Sequence, residues 1–312
     1  MVSFRSPRSQ AEHALRNNLA IGESRHTAKK LGTARWNIYS IGTQRIHTQN
    51  LTLAANWYTL QCMAGRTGFN GQINRITKDQ CHEYLMLRAL SVGQKQLDLD
   101  RQALEMILRD GIQHLKSVAD KDDRLELLPR AYSTQQVLEI STHQKGHNAL
   151  ATEVVSNAGL RAHELFTIAR ASERPPATHR VFRQDLFIGR VDFQRYTVIG
   201  KGGLVREVAL DADVARRLEL NRLPAPRGVR DRKICYQQLY AIGGGQAWSQ
   251  SFSSASQLVL RWSAGGHGLR HGYAQLRLEQ LQCAGLSWRD ALEIVSQEMG
   301  HFREDVTLIY LR

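Results

Sequence analysis

At 312 residues and 42% hydrophobic content, the chain is long enough for two ordinary domains, each with a packed core. Its formal net charge of +13 points to a polyanionic partner, because each phosphate neutralised by Lys or Arg releases condensed counterions. No apolar run approaches the roughly 20 residues that span a bilayer, and the N-terminus is polar rather than signal-like, so a soluble, cytoplasmic, nucleic-acid-binding protein with no membrane partner is expected.

Residues 1–32 mix Arg, Ser, Asn and His with few large apolar residues and read as a basic flexible arm. The basic excess is concentrated early: residues 1–79 hold 11 Lys/Arg against 3 Asp/Glu, whereas 80–128 hold 7 against 9. From Trp36 to Tyr58 the apolar spacing predicts one or two helices, broken near Gly42, and the glycines of 64–71 predict a loop. Thr77 is placed to cap a helix that Gly93 ends, and a further helix fits Gln96 to Leu108. Residues 33–118 therefore form a helical unit. The charged stretch ending at Pro129 is the best linker, placed at 119–129.

A second unit is expected over 130–312. Ser133 can cap a helix through Leu138, and another should run near Ala149 to Val155. Between Asp185 and Leu210 the pattern alternates β-branched and aromatic residues, which predicts short strands turning at Gly200-Lys201-Gly202-Gly203. From Ser254 to Ile309 the chain is again mostly helical, with a loop at Gly265-Gly266. Mainly α with a small β-sheet in the second unit, an α+β arrangement, is the expected fold class. Cys62, Cys81, Cys235 and Cys283 form no C-x-x-C pair and read as reduced structural thiols.

Four separated pieces of the second unit bear chemistry: Gly159-Leu160-Arg161-Ala162-His163-Glu164-Leu165, Ile199-Gly200-Lys201-Gly202, His267-Gly268-Leu269-Arg270-His271, and Gly300-His301 followed by Tyr310. Each has a plainer reading. Arg161 and Glu164 at i,i+3 could be a helix-surface ion pair. His267 and His271 mimic half a metal site, but no Glu follows His267 and no nearby Cys or Asp completes the ligands. Gly200-Lys201-Gly202 lacks the Ser/Thr and the upstream glycine of a phosphate loop. A lone Tyr310 would be a packing residue.

Taken together, the order of these pieces and the step from His301 to Tyr310 closely resemble the catalytic domain of the tyrosine recombinase or phage integrase family. The resemblance implies a SAM-like helical core-binding domain followed by a catalytic domain, the two forming a DNA clamp. It implies that Arg161 is the first catalytic arginine with Glu164 its acidic support, and that Lys201 is the hairpin lysine. His267 and Arg270 become the His-x-x-Arg pair, His301 the second histidine and Tyr310 the nucleophile, with Tyr273 the next tyrosine to consider because it lies near His267 and Arg270 in sequence. The implied partners are double-stranded DNA bearing a specific recombination site, a homotetramer on paired sites and an accessory DNA-bending factor, with no cofactor and no metal.

The chemistry itself favours these residue types. In-line attack on a phosphodiester builds charge on non-bridging oxygens, which guanidinium forks stabilise without rearrangement. A tyrosine hydroxyl, of ordinary pKa about 10, needs a cationic pocket to ionise. The leaving 5′ oxygen needs a proton, which Lys201 can supply while His267 and His301 bond the phosphate. Integration or excision of a mobile element is the expected role; a resolvase of plasmid or transposon multimers uses the same chemistry. A type IB topoisomerase, acting as a monomer, and a non-catalytic DNA-binding protein are the other readings. The segment 168–190 and the 30 residues between Arg270 and His301 look longer than in compact family members. Many relatives carry a subunit-docking tail after the tyrosine, whereas only Leu311 and Arg312 follow Tyr310, so coupling between subunits is expected to arise elsewhere.

Overall fold

Helix starts fall where capping chemistry puts them. In a computed structural model, which describes residues 4–23, 25–119, 129–232 and 234–311, Ser40 accepts from the Thr43 amide at 3.1 Å and begins a single unbroken helix, Ile41–Met63. Gly42 therefore sits in the first turn, where the exposed amides need no intrahelical partner, and breaks nothing. Thr77 with Gln80 and Ser133 with Gln136 form reciprocal capping boxes at the starts of Lys78–Ala89 and Thr134–Thr142. Gly93 does not end the former: that helix stops at Ala89, and Gly93 is the N-cap of the next, Gln94–Leu108.

The chain divides into two compact units, Met1–Asp123 and Arg124–Arg312. The first is helical: α1 (Pro7–Leu15), α2 (Arg25–Lys30), α3 (Ile41–Met63), α4 (Lys78–Ala89) and α5 (Gln94–Leu108). Its core is built on Leu15, Leu51, Tyr58, Leu85 and Leu104. The expected flexible arm over 1–32 is overturned at α1, whose Ala11 and Leu15 are buried in that core at 0% and 1% exposure. Two apolar residues four apart suffice, because they dock on a stripe that α3 already presents. The Gln10 side chain adds a clasp, accepting from the Ile73 amide at 2.9 Å. The expected linker lies almost wholly outside the described residues.

The second unit continues with α6 (Thr134–Thr142), α7 (Gly146–Ala158), β1 (Ala169–Arg170), β2 (Phe193–Ile199), β3 (Val205–Asp211), α8 (Ala212–Leu220), β4 (Arg222–Asp231), β5 (Ile234–Tyr240), α9 (Gly245–Leu260), α10 (His267–Cys283), α11 (Trp288–Glu298) and α12 (Glu304–Leu308). Mainly α with small antiparallel sheets is thus the observed class. β1, β2 and β3 form one sheet, with Val198 opposite Arg206 and Ile199 opposite Val205, and the turn at 201–203 joins β2 to β3.

Two expectations fail here. The stretch 185–192 is a series of turns, with Phe187 at φ +66°, rather than strand. The β4–β5 ribbon was not foreseen, because most of β4 is exposed and its Pro224 and Pro226 interrupt any alternating pattern. One core cluster centres on Val155, Val198, Leu210, Trp248 and Phe252; another joins α10 and α11 through Ala274, Leu292 and Val295 and includes Tyr310. No described helix is long and apolar enough to cross a membrane.

Candidate active site

α7 ends at Gly159, which takes the left-handed conformation at φ +59°. Only glycine fits, since a Cβ there would stand 2.6 Å from the Tyr273 ring. That sharp stop turns the chain so that Arg161 and Glu164 close a small loop. The Arg161 amide donates to Glu164 Oε2 at 2.8 Å, and Arg161 Nη1 donates to Oε1 at 2.9 Å. The pair is no surface bridge, because Glu164 is completely buried. Burial opposes its ionisation, but Arg206, Arg161 and Arg270 outweigh it and hold the carboxyl down at about 2.

The β2–β3 turn is fastened beside this loop. Thr167 Oγ1 accepts from the Ile199 amide at 3.0 Å and donates to the Glu164 carbonyl. A Cβ built on Gly200 would lie 3.2 Å from Glu164 Oε1 and 3.9 Å from Arg161 Nη1. Lys201 follows at the exposed tip. Its side chain makes no hydrogen bond to another candidate residue among the described residues, so the hairpin brings Lys201 to the site's edge rather than into it.

α10 supplies His267 at its first position and Arg270 one turn on. Arg270 is 1% exposed, and its guanidinium is tied to carbonyl oxygens of Gly159 and Met299. Its Nη2 also lies 3.0 Å from His301 Nε2. A guanidinium can only donate, so His301 accepts at Nε2, and its Nδ1 carries the proton toward Thr307 Oγ1 at 3.1 Å. His301 is thereby neutral. Burial, then the charges of Arg270 and Arg161, push its pKa down to about 3. Burial and Arg270 likewise push His267 down to about 4, although part of that side chain reaches solvent.

Tyr310 sits among these groups at 7% exposure. Its ring centroid lies 5.1 Å from those of His267 and His301 and 4.8 Å from that of His271, with the Arg270 guanidinium 5.3 Å away. Arg161 and Arg270 feel each other's charge, so the Arg161 loop and the Tyr310 cluster occupy one neighbourhood. Tyr273 has a different job: its hydroxyl donates to Glu298 Oε2 at 2.7 Å in a buried network with Arg277. Burial and that carboxylate raise its pKa, so its hydroxyl is committed to the core rather than available for attack.

Two participants were not singled out in the sequence. Thr307, fully buried, accepts from the His301 Nδ1 that the Arg270 contact leaves protonated. Arg206 pairs with Glu164 at 2.8 Å, with both side chains buried. A signal existed for Arg206: it shares the inward face of β3 with Val208 and Leu210, and a charge in an inward register needs a buried partner.

The histidines carry a stability signature. Both stay neutral in the folded protein below 6.5, so the unfolded chain binds protons that the folded one refuses. Stability is therefore complete above pH 6.5 and falls as pH drops toward the folded values. For the part-buried His301, unfolding free energy should fall by about 1 kcal/mol between pH 6.5 and 5 after allowance for solvent screening. Urea titrations at the two pH values check this: His301→Asn should flatten the slope, and an unchanged slope would assign it to other groups.

No protein-family profile matches the sequence, and no curated protein matches it. In structure the whole chain superposes on XerH site-specific recombinase bound to palindromic difH substrate, a post-cleavage complex, with a TM-score of 0.60, 14% identity and 94% of that chain covered. The pre-cleavage complex of XerH with difH substrate matches with a TM-score of 0.58, 15% identity and the same coverage. An α-helical first unit, a second unit organised on the β1–β2–β3 sheet and full-length correspondence together give this chain the fold of the tyrosine-type site-specific recombinases.

Proposed function

We propose that this protein is a site-specific DNA recombinase that cuts and rejoins duplex DNA through a 3′-phosphotyrosyl intermediate on Tyr310. The observation that carries the reading is the enclosure of the Tyr310 ring by His267, His271, His301 and the Arg270 guanidinium. Ring stacking and a cation–π contact would serve a packing tyrosine too, but a guanidinium and imidazoles gathered on one tyrosine are also the groups that a nucleophilic hydroxyl and its phosphate need.

In this reading Arg161 and Arg270 bind the non-bridging oxygens of the scissile phosphate and stabilise the charge that develops there, without an ATP-derived or metal-borne contribution. Arg270 is held at its carbonyl contacts before substrate arrives, so little reorganisation accompanies the reaction. The neutral His301, its Nε2 occupied by Arg270, keeps that guanidinium in place, and His267 at the exposed helix start takes the proton that Tyr310 Oη releases and bonds the phosphate. Tyr310 Oη attacks phosphorus, the P–O5′ bond breaks, and Lys201 protonates the departing 5′ oxygen. The phosphotyrosyl bond conserves the energy of the phosphodiester, so a 5′ hydroxyl from a partner strand reverses the attack. The XerH complexes are with difH substrate; by analogy the partner here is a double-stranded recombination site, and the motif resemblance adds engagement by a homotetramer and a role in integration or excision of a mobile element.

The experiment that tests it is capture of a covalent adduct. Protein is mixed with a randomised pool of nicked duplexes, whose short cleaved strand diffuses away and traps the intermediate. Protein–DNA species surviving denaturant are then recovered and amplified. A denaturant-resistant band with enriched sequence is expected. Retention of DNA in a native gel with no adduct in any pool would replace this reading by DNA binding without catalysis.

A further inference from the structure

Arg206 is a charge buried in the core, at a desolvation cost. It is 1% exposed on the core face of β3, and its one hydrogen bond runs from Nη2 to Glu164 Oε2 at 2.8 Å. Among the described residues neither Nε nor Nη1 finds an acceptor. An apolar side chain of similar size would ordinarily serve a core as well as a paired guanidinium or better. Nor does Glu164 lack a partner without it, since Arg161 already offers its amide and Nη1.

The position of Arg206 shows what the cost supports. Glu164 Oε2 takes both Arg206 Nη2 and the Arg161 amide, which fixes the carboxylate plane and turns Oε1 to Arg161 Nη1. Arg161 is then gripped by one corner of its fork, and the remaining donors make no hydrogen bond among the described residues. On its other side Arg206 lies under the corner leading to His301. Gly300 has φ +73°, and a Cβ on it would stand 2.8 Å from Arg206 Cδ and Nε. β3 itself carries the Lys201 turn at its start. One side chain thus touches the loop of the first arginine, the corner of the second histidine and the hairpin.

We propose that Arg206 is a positioning residue of this site, whose buried guanidinium locks Glu164, and through it Arg161, to the Gly300–His301 corner and to the hairpin bearing Lys201. This rests on the recombinase reading for its consequence in catalysis, but not for the lock itself. Arg206 is the foremost of the charges that hold Glu164 ionised, ahead of Arg161 and Arg270; His163, the sequence neighbour, and His301 also feel the Glu164 charge.

The test uses the full chain with Arg206→Met, Arg206→Lys, Glu164→Gln and the Arg206→Met/Glu164→Gln pair. Single-turnover cleavage and DNA affinity are measured together, and the Glu164 carboxyl is followed by carbon NMR, assigned by its loss in Glu164→Gln. Arg206→Met should slow cleavage on the order of a hundredfold, the scale of a small misplacement of reacting groups, with DNA affinity nearly unchanged. Its Glu164 carboxyl should titrate at higher pH than in wild type. Arg206→Lys should bring the titration back down and recover part of the rate, which a space-filling role would not give. The pair should melt no lower than wild type while remaining slow. Should Arg206→Met not fold, the Lys variant and the pair carry the same comparison. Wild-type cleavage in Arg206→Met, or an unmoved Glu164 titration, overturns the proposal. If wild type itself forms no adduct, the recombinase reading falls, and the titration alone still decides whether Arg206 is the lock.

Discussion

Tyr310→Phe should bind DNA as wild type does and form no covalent adduct. The substitution removes one oxygen from a ring at 7% exposure and leaves its faces against His267, His271 and His301 unchanged. Volume is conserved, so stability should move by less than about 1.5 kcal/mol. The atom proposed to attack is gone, however, and cleavage should fall below detection rather than merely slow. Equal retention in a native gel with loss of the denaturant-resistant band is the expected pair of results. Arg270→Ala would be less informative, because it removes the proposed phosphate contact, opens a buried cavity and leaves the Gly159 and Met299 carbonyls without their donor. An adduct persisting in Tyr310→Phe would move the nucleophile elsewhere, although not to Tyr273, whose hydroxyl is spent on Glu298 in the core.

Lys201→Ala should reduce cleavage of ordinary DNA by about 10²- to 10⁴-fold, the usual worth of a general acid. Replacing the bridging 5′ oxygen with sulfur should restore most of that loss, because a thiolate leaves without protonation. Rescue separates proton donation from positioning: had Lys201 only held the phosphate, sulfur at the leaving position would recover nothing. Folding should be untouched, since Lys201 is exposed at the tip of a turn. The hairpin is anchored instead by Thr167 to the Ile199 amide and by the Gly200 amide to the Leu204 carbonyl at 2.7 Å. Rates of adduct formation on the oxygen and sulfur substrates, compared for wild type and Lys201→Ala, decide the matter.

Much of this protein was legible in one dimension because the relevant physics acts within a few residues. Ser133 and Gln136, or Thr77 and Gln80, are close enough in sequence for a capping box to be read directly. The alternation from Phe193 to Val208 fixes a hairpin and hence the place of Lys201 on a turn. The residue types at 161, 164, 201, 267, 270, 301 and 310 suit phosphodiester chemistry before any coordinate is known.

What only the tertiary structure decided depends on groups distant in sequence meeting out of water. α1 is a helix because a core formed by later residues receives Ala11 and Leu15; its own sequence has too few apolar residues to announce it. Gly93 begins a helix rather than ending one because the preceding helix closes at Ala89 without it. The Arg161–Glu164 spacing suits a surface pair as well as a buried one, and only the fold puts the carboxylate in the core beside Arg206, 42 positions after Glu164. Tyr273 and Tyr310 are alike as letters; burial beside Glu298 ties up the hydroxyl of one, while three histidine rings and a guanidinium surround the ring of the other. Residue type and local spacing determined which groups could do the chemistry, and long-range packing, which sets solvent access and charge environment, decided where each one stands.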